Sequence, residues 1–182
     1  MRILAISGSL RAVSSNTALL QAAARLAPPG MEIAVYGGLG DLPHFNPDLE
    51  GSPPAAVTDF LARVRAADGL LISSPEYAHG VPGAMKNALD WLVSDEEFMG
   101  KPVALFNASP LAAYAQASLL ETITVMSACV VSEAFIAVPV SGKKLDEAGI
   151  VAHPEIAGVV RAALEAFARA IEARENSAAP GV

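Results

Sequence analysis

Two runs of consecutive apolar residues, Leu70-Leu71-Ile72 and Val103-Ala104-Leu105-Phe106, restrict the folds open to this chain more than any other feature. A strand with one wet face alternates apolar and polar side chains, whereas an unbroken run is covered on both faces. Helical periodicity separates the runs. Leu19, Leu20, Ala23 and Leu26 share one face between Asn16 and Ala27, and Pro28-Pro29-Gly30 stops that helix. Further helices are expected over Val57 to Ala67, Val81 to Ser94 and Ala112 to Ala128, with a last one carrying Ile156, Val159, Val160, Ala163, Leu164, Phe167 and Ile171 on one face. Strands are expected at Arg2 to Ser7, Met31 to Tyr36, Gly69 to Ser73 and Pro102 to Asn107. A fifth comes either from Val130-Val131 or from Phe135 to Val138. Asp41 to Pro54 holds four prolines and reads as a surface loop. Strands alternating with helices give a three-layer α/β sandwich around a five-stranded parallel sheet. One domain over residues 1–174 is expected, with 175–182 as a disordered tail.

Composition narrows the partners. With 53% hydrophobic and 17% charged residues, a disordered chain is excluded. A net charge of −7 argues against a nucleic-acid partner, which needs a basic face. No apolar run is long enough to span a bilayer, and Met1 to Ser7 passes directly into a strand pattern without a signal-peptide profile, so no membrane association is expected. Cys129, the single cysteine, has no partner for an intramolecular disulfide, which fits a reducing cytoplasm and a small buried side chain.

Two loops carry the chemistry. The strand at Gly69 to Ser73 ends in Ser74-Pro75-Glu76-Tyr77-Ala78-His79-Gly80-Val81-Pro82-Gly83, with Pro82 read into the first turn of the next helix. Such a loop lies at the carboxyl edge of the sheet, where open α/β sheets bind ligands. The first loop, Gly8-Ser9-Leu10-Arg11-Ala12-Val13-Ser14-Ser15-Asn16-Thr17, precedes a helix whose free N–H groups favour an anion. Ser9, Ser14, Ser15, Asn16 and Thr17 add side-chain donors, and Arg11 is its only cation. That set suits a phosphate monoester. The P-loop and dinucleotide fingerprints are both missing, and the second strand ends at Tyr36-Gly37 rather than at an acidic residue. A serine in this position also serves simply as a helix cap. His44, His79 and His153 lack metal-ligand spacing and no Ser-His-Asp arrangement is visible, so neither a metal nor a covalent nucleophile is assigned.

Taken together, Gly8-Ser9-Leu10-Arg11-x-x-Ser14-x-Asn16 and Pro75-Glu76-Tyr77-x-x-Gly80-x-Pro82-Gly83-x-x-Lys86-Asn87-x-x-Asp90-Trp91 resemble the NADPH-dependent FMN reductase family, from Met1 to roughly the last helix. The resemblance implies a flavodoxin-like fold, bound FMN, and hydride transfer from NADPH or NADH to the flavin. Electrons then pass to an acceptor such as a quinone, free flavin, azo compound or metal oxyanion. It implies that Ser9, Arg11, Ser14, Ser15, Asn16 and Thr17 hold the FMN phosphate. Pro75, Glu76, Tyr77, Ala78, His79 and Gly80 would border the ring, largely through backbone groups, with Ser109 and Pro110 along another edge. His79 also reads as an ordinary solvated loop residue. No side chain need act as acid or base, so no catalytic residue is assigned. A homodimer, or a dimer of dimers, is the implied assembly. The helix bearing Met85, Ala88, Leu89, Trp91 and Leu92 is read as core or as a dimer contact.

The third loop departs from the family pattern. Asn107-Ala108-Ser109-Pro110-Leu111 lacks the usual glycine, and Tyr114 stands near the usual Arg. Fewer cations there weaken the expectation of NADPH preference. The alternatives are a flavodoxin-like FMN electron carrier without nicotinamide activity and a flavin-free module.

Overall fold

The computed structural model describes residues 1–178. Four strands, β1 (Arg2–Ser7), β2 (Glu32–Tyr36), β3 (Gly69–Ser73) and β4 (Pro102–Asn107), alternate with helices α1 (Ser15–Leu26), α2 (Ala55–Ala66), α3 (Gly83–Leu92) and α4 (Ala113–Val125). Two short strands follow, β5 (Cys129–Val130) and β6 (Ile136–Ala137), then helices α5 (Val140–Lys143), α6 (Glu147–Ala152) and α7 (Pro154–Ala178). The sheet is parallel, in the order β2-β1-β3-β4-β5, with β6 also on β4.

Both candidates for the fifth strand are therefore real, and the expected five strands become six. β5 pairs with Pro102 and Val103 at the start of β4, and β6 with Phe106 and Asn107 at its end. Between them a 3-10 turn over Ser132–Ala134 turns the fully buried Ala134 into the core. Helix α7 continues through Ala178, past the expected start of the tail at residue 175; residues 179–182 of that tail lie outside the described residues. Pro82 is the N-cap of α3 rather than a residue of its first turn. Its backbone is extended (ψ 142°), and its carbonyl accepts the Lys86 N–H at 3.0 Å.

Strand alternation divides the core in two. Ile3, Ala5, Leu71, Ala104 and Phe106 face α1 and α7, whereas Leu4, Ile6, Leu70, Ile72, Val103 and Leu105 face α2, α3 and α4. Gly69 opens β3 because Phe167 occupies its side-chain space: a Cβ there would lie 2.8 Å from the ring. The proline-rich loop is fastened to α3. Asn87 donates to the Pro43 carbonyl (3.0 Å) and accepts from the Phe45 N–H (2.8 Å), while the Trp91 indole donates to Pro43 (2.8 Å) and meets Phe45 edge-on. Trp91 is 2% exposed, and Met85, Ala88, Leu89 and Leu92 are equally buried, so this face of α3 is core within the chain.

The strand order matters for function. The chain leaves β1 toward β2 on one side of the sheet and leaves β3 toward β4 on the other. The crevice outside the carboxyl ends of β1 and β3 is thus the topological switch point, the ligand position in open α/β sheets. Register pairs Ser7 with Ser73, so the two chemistry-bearing loops start level with each other.

Candidate active site

The ends of β1 and β3 approach so closely that the first loop begins with the only residue that fits. Gly8 donates its N–H to the Ser73 carbonyl (2.8 Å), and a Cβ on Gly8 would lie 2.5 Å from Ser74 Oγ and 3.2 Å from its Cα. Behind this contact, the Ser73 hydroxyl donates to Asn16 Oδ1 (2.9 Å), and the Ser7 and Thr17 hydroxyls share a hydrogen bond (2.9 Å). These bonds fix the start of α1 against both strands. Ser14 is the N-cap, its hydroxyl accepting from the Thr17 N–H at 3.3 Å. The capping role of this serine and its place in the cleft coexist.

What remains uncommitted defines the cleft. The first N–H groups of α1, at Ser15 and Asn16, have no helical carbonyl to bond. The first turn holds no acidic residue. The Asn16 side-chain nitrogen and the Arg11 guanidinium make no hydrogen bond or ion pair among the described residues. Ser9, Arg11, Ser14, Ser15 and Asn16 form one wall of an open cleft of about 340 Å³, and Pro75, Glu76 and Tyr77 form another. Such a wall can hold a phosphate through neutral donors and one cation, despite the chain's acidic balance.

The third wall explains how a glycine-free loop works. Asn107, at the end of β4, accepts from the Ser109 N–H (2.9 Å) and donates to the Ala112 carbonyl (3.2 Å). This Asx turn supplies the bend that glycine supplies elsewhere. Glu76 then crosses between walls: its carboxylate accepts the Ala115 N–H at 2.9 Å. It caps α4, whose own N-cap, Ala112, has no side-chain acceptor. Hence the Glu76 side chain braces the cleft and leaves its backbone beside it.

Not every expected residue faces the cleft. Ser9, Arg11, Ser14, Ser15, Asn16, Pro75, Glu76, Tyr77 and Ser109 line it; Thr17, Ala78, His79, Gly80 and Pro110 stand outside. Thr17 points to Ser7. Tyr77 and Gly80 exchange two backbone hydrogen bonds (3.1 and 3.0 Å), closing a hairpin with Ala78 (φ 49°) and His79 (φ 60°) at its tip, both left-handed. His79 stacks on Tyr114. Ser74, Asn107, Ala108, Leu111, Ala112 and Ser141 also line the cleft and were not expected. Asn107 has a sequence signal, an Asn ending an apolar strand two residues before Ser109. Ser141 has none, because α5 reaches the cleft only through the split fifth strand. No group of three or more His, Cys, Asp or Glu side chains suitable for a metal occurs among the described residues, and no helix among them is long and apolar enough to cross a membrane.

Similarity to known proteins runs through this same framework. The chain is 45% identical over 113 residues to an NAD(P)H-dependent FMN reductase of Pseudomonas aeruginosa. It is 34% identical over 113 residues to a quinone reductase of Escherichia coli K12. Each alignment covers 60% of this chain and 60% of the relative. Among solved structures, it resembles the flavoenzyme NAD(P)H:(acceptor) oxidoreductase FerB of Paracoccus denitrificans (TM-score 0.84, 30% identity), over 94% of this chain and 97% of that one. The model of the NADPH-dependent FMN reductase family matches residues 1–142, which include all three walls of the cleft, and the chain belongs to that family.

Proposed function

We propose that the chain is an NAD(P)H-dependent FMN reductase, passing electrons from the reduced nicotinamide through bound FMN to a small acceptor such as a quinone. One observation carries the reading: the uncommitted donors of Ser9, Ser14, Ser15 and Asn16 converge with Arg11 on one end of a cleft at the β1/β3 switch point. That donor set fits the FMN phosphate. The other end, between Pro75-Glu76-Tyr77 and Ala108-Ser109, offers backbone groups and one aromatic ring for a planar heterocycle. FMN, when bound, supplies the hydride and electron chemistry itself. The residues bind and orient: Asn16 and Arg11 hold the phosphate, Glu76 braces two walls, and Tyr77 covers the ring end. No titratable group is required at the reacting atoms, and none is assigned a catalytic role.

The relatives' names support NAD(P)H as reductant and quinones or flavins as acceptors. A homodimer in the cytoplasm completes the proposal. Leu111 (89% exposed) lines the cleft, and with the exposed Leu10 (62%) and Tyr114 (60%) of the first loop and α4 it leaves apolar surface for a second copy. Light scattering tests the dimer. Titration with FMN, followed by quenching of flavin fluorescence, tests the site: the wild-type chain binds at micromolar concentration, and Arg11→Ala weakens binding about tenfold or more. Equal affinity of the two proteins removes the phosphate assignment.

A further inference from the structure

The two ends of the cleft differ in charge. Arg11, the cation in its lining, stands among the donors of the phosphate end. The walls of the ring end supply none. From Asn107 to Leu120, through the third loop and into α4, no residue is Asp, Glu, Lys or Arg. From Ser73 to Met85, through the hairpin and into α3, Glu76 is the only one. Lys86, the first cation past the hairpin, is paired with Asp90. Arg25 and Lys144 line a neighbouring groove that shares Arg11, Ser14, Ser15 and Ser141 with the cleft, and so lies on the phosphate side.

One feature of the ring end attracts anions in principle. The first turn of α4 carries free N–H groups at the positive end of the helix dipole. The chain fills that position with its own carboxylate, because Glu76 accepts the Ala115 N–H at 2.9 Å. The cap cancels the attraction and adds a negative charge to the cleft lining. Around that charge the surface is aromatic and aliphatic. Tyr77 (53% exposed) and Leu111 both line the cleft, and the stacked rings of His79 and Tyr114 stand just outside it. A cleft of about 340 Å³ lies at the low end of small-molecule sites, so with FMN in place an acceptor meets these walls at the open side. A flat neutral ring gains contact there with Tyr77 and Leu111. An anion meets Glu76 and no compensating cation.

We infer that the ring end sorts electron acceptors by charge, with Glu76 as the specificity-determining residue: neutral planar quinones are accepted, whereas sulfonated quinones, sulfonated azo dyes and metal oxyanions are turned away. The inference rests on the reductase reading and narrows its acceptor class.

The test compares 2-methyl-1,4-naphthoquinone with 1,4-naphthoquinone-2-sulfonate as acceptors for the reduced, FMN-loaded protein. Each kcat/KM is divided by the rate constant of free reduced FMN with the same quinone, which removes their intrinsic difference in reactivity. Wild type is expected to favour the neutral quinone about tenfold or more, and added salt to narrow the gap by speeding the sulfonate alone. Glu76→Gln keeps an oxygen for the Ala115 N–H and removes the charge, so it is expected to narrow the ratio several-fold. Thermal melting checks that it folds. If it does not, Leu111→Arg, which adds a cation at an exposed position of the third loop, takes its place with the same expectation, and light scattering checks that its assembly is unchanged. A second readout needs no turnover. In calorimetry on the oxidised, FMN-loaded protein, 2-naphthol is expected to bind several-fold more tightly than naphthalene-2-sulfonate, and Glu76→Gln to reduce that difference. Equal normalised use of the two quinones by wild type, or a folded Glu76→Gln protein with the wild-type ratio, overturns the inference. Failure of the reductase reading appears separately, as absence of FMN binding or of flavin reduction by either nicotinamide nucleotide.

Discussion

The imidazole of His79 lies on the phenol ring of Tyr114, with centroids 4.1 Å apart and planes inclined by 19°. The contact joins the tip of the hairpin after β3 to the first turn of α4, beside the bond from Ala115 N–H to Glu76. Two walls of the cleft are thereby held together by a ring stack and a charge-assisted hydrogen bond.

Such a stack contributes about 0.5–1.5 kcal/mol. It offsets the cost of holding Ala78 and His79 in the left-handed region, about 1 kcal/mol or more each. Tyr114→Ala is therefore expected to loosen the hairpin and weaken FMN binding several-fold, whereas Tyr114→Phe keeps both. Ala78→Gly, which removes strain without touching the stack, is expected to raise stability by up to about 1 kcal/mol in urea unfolding.

Gly8 packs on Ser74 with no space for a methyl group. Gly8→Ala is expected to cost about 1–3 kcal/mol and to displace the cleft wall that the first loop forms, because the clash includes backbone as well as side chain. Ser74→Gly removes two of the three clashing atoms. The double variant is expected to recover part of the stability and of the FMN affinity, a coupling that a double-mutant cycle measures directly.

Lys101 donates to the Val64 (2.9 Å) and Ala67 (2.7 Å) carbonyls at the end of α2. Burial lowers its pKa below the ordinary 10.5, opposed by Glu97, Asp68 and Asp95. The native state therefore binds this proton less readily than the unfolded chain, so its contribution to stability increases as pH rises toward 10.5. Tyr36 acts oppositely: burial first, then Asp59, raises its pKa above 10.0, and its contribution falls above that pH. Urea midpoints between neutral pH and 10 are expected to show a more positive slope for wild type than for Lys101→Met.

The fold was legible wherever burial dictates composition. Leu70-Leu71-Ile72 and Val103 to Phe106 announce a parallel sheet because both faces must be apolar, and strands Gly69–Ser73 and Pro102–Asn107 fall where expected. The polar side chains of the first loop fall ahead of α1 as expected, and Ser9, Arg11, Ser14, Ser15 and Asn16 line the cleft together. Side-chain direction was not. His79 belongs to a ring stack rather than to the cleft lining because a two-residue hairpin turns it away, and the sequence Ala78-His79 carries no glycine to mark that turn. Glu76 hides its role because its partner, the Ala115 N–H, is a backbone group 39 residues away.

The central claim concerns electron flow into bound FMN, and anaerobic mixing of the FMN-loaded protein with NADPH tests it most directly. The account predicts loss of the oxidised flavin's visible absorption within the first turnover, without any partner protein, and its return when a quinone is added. Flavin that binds but stays oxidised in the presence of excess NADPH and NADH would contradict the account and identify the chain as an electron carrier instead.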